Sequence, residues 1–124
     1  MRLTLNYAVV VILTALFLWA MTMVPGRANG CDISGKASFY GAAHHGKTMA
    51  NGKPFNMHAL TAAMWDVPFG TKYRVTSGSK SVIVTITDRG PARRLNRVID
   101  LSKAAAAKLG MIQAGTADVC LERM

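Results

Sequence analysis

Acidic side chains are scarce in this chain. Six of them, Asp32, Asp66, Asp88, Asp100, Asp118 and Glu122, stand against 15 Lys and Arg in 124 residues. Proton transfer by a carboxylate or an imidazole is therefore confined to these six and to His44, His45 and His58. Cysteine is scarcer still, with Cys31 and Cys120 alone. There is no CxxC pair, no HExxH signature and no P-loop, which excludes a zinc ribbon, a metalloprotease helix and a phosphate-cradling loop. No repeat with a period of roughly 20–50 residues occurs, and no low-complexity tract, so solenoids and propellers are excluded as well. One long apolar run exists, Tyr7 to Val24, and a single run excludes a multi-span membrane protein.

That run follows Arg2 and is interrupted only by Thr14 and Thr22. Pro25-Gly26 and then Ala28-Asn29-Gly30 come after it. A positive start, an apolar centre and a small-residue exit read as an export signal over residues 1–30, cut after Gly30. At 18 residues the run also sits at the lower edge for a membrane span, so an uncleaved anchor helix is the competing reading. Cys31 directly after the cut adds lipidation as an option, although Ala28-Asn29-Gly30-Cys31 lacks the leucine that usually opens a lipobox. Residues 31–124 then form one small domain, which excludes a two-domain enzyme and a large α/β fold.

Without Arg2 and Arg27 the folded part keeps 13 cations against 6 anions. Such a field favours a polyanionic partner or an anionic envelope surface. Nucleic acid is not expected, because the chain is exported and does not interleave aromatic with basic residues on a strand face. Contact with a membrane is expected only through the N-terminal segment, and the domain is expected to be a monomer. In an oxidising compartment an even cysteine count favours a Cys31–Cys120 bridge. Closing nearly the whole domain into one loop is worth about 4–5 kcal/mol in the chain-entropy account. The alternative is a lipidated Cys31 with Cys120 as a buried thiol.

Local patterns give a mainly β chain. Ser34–Tyr40 is strand-like and ends at Gly41. Residues 42–52 read as a loop closed by an Asn51-Gly52 turn. Leu60–Trp65 (LTAAMW) reads as one or two helical turns, stopped by Pro68 and Gly70. Thr71–Thr76 and Ser81–Thr87 alternate around Ser77-Gly78-Ser79 and form a hairpin. Asp88-Arg89-Gly90-Pro91 breaks the second strand, and Arg93–Arg97 is a basic loop. Val98–Leu101 is a short extended piece. Ser102 is an N-cap for a helix over Lys103–Leu109, with Gly110 at C′. Gly115–Glu122 closes as a last strand. Five or six short strands with one helix and a shorter one point to a small β-barrel.

Five segments carry a resemblance. They are GKASFYG (35–41), HHGKTMANGKPFN (44–56), LTAAMWDVPFGTKYRVT (60–76), VTITDRGP (84–91) and RVIDLSKAAAAKLGM (97–111). In this order the chain resembles the RlpA-like (rare lipoprotein A) family of bacterial envelope proteins over roughly residues 34–123. The resemblance implies a six-stranded double-psi β-barrel with one or two short helices. It also implies endolytic lytic transglycosylation of peptidoglycan: cleavage of the β-1,4 bond between N-acetylmuramic acid and N-acetylglucosamine without water, leaving a 1,6-anhydro product. The implied partner is the peptidoglycan glycan strand. The implied place is the periplasm or envelope of a Gram-negative bacterium, and neither a cofactor nor a metal is called for.

Glycosidic cleavage needs a proton for the leaving oxygen and stabilisation of an oxocarbenium-like transition state. A transglycosylase manages with one carboxyl, because the 6-hydroxyl of the substrate replaces water. That carboxyl must hold its proton near neutral pH, which calls for surroundings that raise its pKa. Asp88 is the first candidate for general acid/base, at the end of the strongest strand and at the position where the resemblance puts the catalytic aspartate. Its bland alternative is an Asx cap or a pairing with Arg89 or Arg97.

Asp66 is the second catalytic candidate, against a solvated helix-end role. Tyr40, Trp65 and Phe69 are candidate sugar-stacking rings, whereas Phe39 and Phe55 are expected in the core. Asn51 is first a turn residue and second a contact for a sugar amide. Arg89 and Arg97 are candidate substrate contacts. Asp100 is expected to be structural. His44 and His45 are expected on a surface loop and not on a metal. Two positions depart from the pattern the resemblance leads one to expect: Lys53 stands where active members commonly carry Glu, and Met64 where they commonly carry His. A non-catalytic, expansin-like glycan-binding module is the alternative function.

Overall fold

The computed structural model describes residues 30–124; apart from Gly30, the expected signal or anchor segment lies outside them. Six strands close into a barrel: β1 (Ile33–Tyr40), β2 (Thr61–Ala63), β3 (Lys72–Ser77), β4 (Lys80–Asp88), β5 (Ile99–Ser102) and β6 (Thr116–Arg123). The order around the ring is β1-β5-β2-β4-β3-β6. The β1–β5 and β2–β4 pairs are parallel and the others antiparallel. Among the described residues no helix is long and apolar enough to cross a membrane.

Alternation decides which face goes inward. Val82, Val84 and Ile86 on β4 are buried while Ser81 and Ile83 are exposed. Tyr73 and Val75 on β3 stand opposite Val84 and Val82 and join the same core. On β5, Ile99 and Leu101 are fully buried, so Asp100 between them projects to the other face. Gly35 on β1 has a packing reason: a Cβ there would lie 2.6 Å from Val98 Cγ1.

The one α-helix among the described residues, α1 (Lys103–Lys108), starts where the sequence predicts. Ser102 is its N-cap and accepts from Ala105 N at 3.2 Å. The same hydroxyl donates to Ala59 O at 2.6 Å, which pins the chain just before β2. Gly110 follows at φ +71°, the left-handed conformation a C′ glycine supplies. Ala105 and Ala106 are buried, and their small side chains let the helix lie close against the barrel.

One segment departs from its sequence reading. Leu60–Trp65 is not helical; Thr61–Ala63 is a three-residue strand between β4 and β5. Alanine and leucine favour helix intrinsically, but this short piece completes the ring with backbone hydrogen bonds on both sides, and tertiary pairing overrides propensity. Cys31 and Cys120 are bonded to each other, with Cα atoms 5.3 Å apart across 89 residues of chain. The bridge is therefore present, and not a lipidated Cys31 beside a free Cys120 thiol.

Candidate functional site

The long connection from β1 to β2 folds back over the barrel as a self-bonded hairpin. Thr48 and Pro54 form an isolated bridge. Met49 N donates to Lys53 O at 2.8 Å, Phe55 N to Lys47 O at 2.7 Å, and Gly46 N to Phe55 O at 2.8 Å. Three contacts hold this hairpin to the barrel. Phe55 stacks on Tyr40 with centroids 4.3 Å apart, Thr87 Oγ1 reaches Met49 Sδ at 3.4 Å, and Ala50 N donates to Asp88 Oδ1 at 2.9 Å. Between hairpin and barrel lies a cavity of about 190 Å3, whose polar lining comes from Tyr40, His44, Lys47, Thr48, Asp88, Arg89 and Asp100.

Asp88 ends β4 and is fixed by backbone. Besides Ala50 N, its own neighbour Arg89 N donates to Oδ1 at 2.8 Å. Both amides converge on one oxygen, which leaves the second uncommitted to backbone. Asp100 reaches the cavity from β5 and accepts from Ser38 Oγ at 3.0 Å. Burial raises its pKa above the usual aspartate range, and the Asp88 charge pushes in the same direction. The Ser38 hydrogen bond and the charges of His44 and Arg97 oppose this without cancelling it.

Tyr40 lies between the carboxylates and the hairpin. Its hydroxyl is covered and has no partner of full hydrogen-bond geometry. Burial first, then the charges of Asp88 and Asp100 and a weak pull from Asp88 on the phenolic proton, raise its pKa. His44 packs edge-on against the Tyr40 ring at 5.7 Å. Arg89 donates from Nη1 to Met64 O at 3.2 Å. Its guanidinium lies 3.9 Å over the Phe69 ring.

Of the residues singled out by sequence, the structure brings Asp88, Tyr40 and Arg89 to the cavity. Asp66 is not among them: it is exposed at φ +63° and lies 3.6 Å from Arg93. Trp65 is 37% exposed and is not part of the cavity lining. Asn51 accepts from Lys53 N at 3.0 Å, an Asx turn inside the hairpin. Arg97 acts on Asp100 by charge from outside the lining. Lys53 is exposed at the hairpin tip, and Met64 is 4% exposed in the core.

Asp100, expected to be structural, and His44, expected on a surface loop, both line the cavity. The available signal for Asp100 was strand parity: a lone carboxylate between two core residues must face away from the core. Nothing local marked His44, which enters the site only because the hairpin folds back. Among the described residues no three His, Cys, Asp or Glu side chains converge as a metal centre would need.

Comparison with known proteins places these features in context. The family model described as lytic transglycolase matches residues 32–121. The chain is 46% identical over 96 residues to the endolytic peptidoglycan transglycosylase RlpA of Vibrio cholerae, covering 76% of this chain and 36% of that protein. It is 51% identical over 95 residues to a probable endolytic peptidoglycan transglycosylase RlpA of Nostoc, covering 73% and 25%. The matched part thus spans about a third or less of these curated relatives. Among solved structures, a mutant Clavibacter michiganensis expansin in complex with cellohexaose superposes with TM-score 0.59 at 18% identity, over 74% of this chain and 50% of that one. The Streptomyces papain inhibitor superposes with TM-score 0.56 at 22% identity, over 75% and 97%. These two likenesses are of fold.

Proposed function

Since the chain belongs to the lytic transglycolase family of double-psi β-barrels, we propose that it cleaves the glycan strands of peptidoglycan endolytically, between N-acetylmuramic acid and N-acetylglucosamine, to a 1,6-anhydro product. The observation that carries this reading is the pair of carboxylates, Asp88 and Asp100, at one cavity, with burial raising the pKa of Asp100. Two neighbouring carboxyl groups whose surroundings treat them differently are what acid/base division of labour requires.

Asp100, expected to be structural, is the proton holder, because burial favours its neutral form. It gives its proton to the O4 leaving oxygen as the C1–O4 bond breaks. The substrate 6-hydroxyl oxygen then bonds to C1, and its proton returns to Asp100, so the proton count balances without water. Asp88, immobilised by the Ala50 and Arg89 amides, supplies negative charge to the oxocarbenium-like centre. The expectation that Asp88 performs both jobs alone thus becomes a division between two residues. Tyr40 places its covered hydroxyl beside them, and Arg89 offers donors in the cavity wall.

A second reading has its own observation. Met64 is sealed in the core and Lys53 points to solvent, so neither supplies proton transfer. A barrel that grips glycan without cutting it would tolerate both. Export to the periplasm is supported by the Cys31–Cys120 bridge, since such bonds persist in oxidising compartments. The test is incubation of the protein with peptide-free glycan strands and mass spectrometry for 1,6-anhydro ends. Asp100→Asn is expected to lower the rate by at least about 100-fold. Binding without any anhydro product in the wild type would select the non-cleaving reading.

A further inference from the structure

Arg89 belongs to two places at once. It lines the cavity and also lies over Phe69, 3.9 Å from the ring centroid. Further along the same loop, Arg93 stacks 4.6 Å over Trp65 and reaches Asp66 at 3.6 Å. The Trp65 indole N–H donates to Pro91 O at 2.6 Å. Two rings on residues 64–70 and two guanidiniums on residues 89–97 are therefore tied into one surface that begins at the pocket wall.

That surface is not explained by folding alone. Phe69 stays 42% and Trp65 37% exposed, and they are the aromatic members among the exposed large hydrophobics of the described residues. Each guanidinium stands over one face of its ring, and the exposed remainder of the ring with the N–H groups beside it suits a pyranose. Its C–H face lies on the rings, and its hydroxyl and acetamide oxygens accept from the arginines. The cavity itself, at about 190 Å3, is smaller than pockets that enclose a drug-sized ligand, which start at roughly 300 Å3. It has room for about one sugar ring, so the rest of a strand must lie outside it.

We propose that the Phe69–Trp65 face with Arg89 and Arg93 is a second saccharide subsite, which takes the next residue of a β-linked amino-sugar strand whose neighbour sits in the pocket. This rests on the glycan reading of the pocket and adds a direction: the strand leaves over Arg89 toward Phe69 and then Trp65.

The test uses the full chain carrying Asp100→Asn, so that turnover does not consume the probe. Titration calorimetry compares the amino-sugar monosaccharide with peptide-free glycan disaccharide and tetrasaccharide. Affinity is expected to rise about tenfold from monosaccharide to disaccharide, the size of one good stacking contact. Phe69→Ala and Arg93→Ala, each added separately, are expected to flatten that rise, with monosaccharide affinity unchanged in Arg93→Ala, whose side chain is not part of the pocket wall. Trp65→Phe, which keeps a ring but loses the bond to Pro91, is expected to keep part of it. A rise that survives in Phe69→Ala and Arg93→Ala overturns the subsite. Equal losses for every length also overturn it, because they mean the pocket wall has shifted. Failure of the cleavage reading shows separately, as absent anhydro product from the wild type with length-dependent binding intact.

Discussion

Ser38 and Asp100 are register partners across the parallel β1–β5 pairing, and the Ser38 hydroxyl donates to Asp100 Oδ1 at 3.0 Å. The strand pairing thus sets the side-chain bond that holds Asp100 at the cavity. The bond favours the ionised carboxylate, while burial and Asp88 favour the neutral acid. Ser38 therefore trims a shift that the surroundings create.

Removing the trim has a definite sign. In Ser38→Ala the carboxylate loses a donor, so the Asp100 pKa rises further. If Asp100 acts as the acid, activity falls as pH climbs through that pKa. The falling limb of the kcat/KM profile is expected at higher pH in Ser38→Ala than in the wild type. A limb that stays put or moves to lower pH removes Asp100 from the proton-donor role.

The same group affects stability. The folded protein holds the Asp100 proton more tightly than the unfolded chain does. Below the unfolded pKa the carboxyl is neutral in both states and costs nothing. As pH rises from there through the raised folded pKa, stability is lost, and it stays lost above. Asp100→Asn keeps an acceptor for Ser38 and cannot ionise. Its Tm is expected to exceed that of the wild type at pH 7, with the gap closing toward pH values near 3. A gap of the same size at both pH values would show that charge is not the cause.

Tyr40→Phe separates folding from function. The hydroxyl is covered and lacks a well-made protein partner, so its removal is expected to change stability by no more than about 0.5 kcal/mol, or to stabilise slightly. Turnover on glycan strands is expected to fall by about tenfold, because the covered hydroxyl lies against the Asp88 carboxylate and its loss alters the surroundings of that charge. Thermal melts and kcat/KM measured on the same preparation check both halves.

The Cys31–Cys120 bridge closes 89 residues. Loop-closure entropy makes it worth about 4–5 kcal/mol, a large share of the total for a domain of this size. Reduction is expected to lower Tm by on the order of 20 °C. Calorimetry with and without a phosphine reductant measures it.

Much of this barrel was readable along the chain because its local signals agree with the final fold. The β3–β4 hairpin alternates cleanly, Ser102 caps α1, and Gly110 ends it. Thr61–Ala63 was not readable. Its residues prefer helix, and only the neighbouring strands make it β. The site divides along the same line. Asp88 stands out locally because a strand breaks directly after it. Asp100 looks like one more residue of a buried strand until the hairpin of residues 41–56 folds over it and makes a cavity. Asp66 looked near the groove by sequence distance, but its left-handed backbone and Arg93 take it to the outer rim.

One contact complicates any mutational reading of this protein. The oxygen of Asp88 that takes the Ala50 amide is also the latch of the overhanging hairpin. A truncation such as Asp88→Ala would unfasten the roof of the cavity while deleting a charge, so its rate loss would mix shape with chemistry. Asp88→Asn leaves an acceptor for the latch and removes only the charge. The difference between these two variants therefore measures how much of the machinery is scaffold and how much is electrostatics.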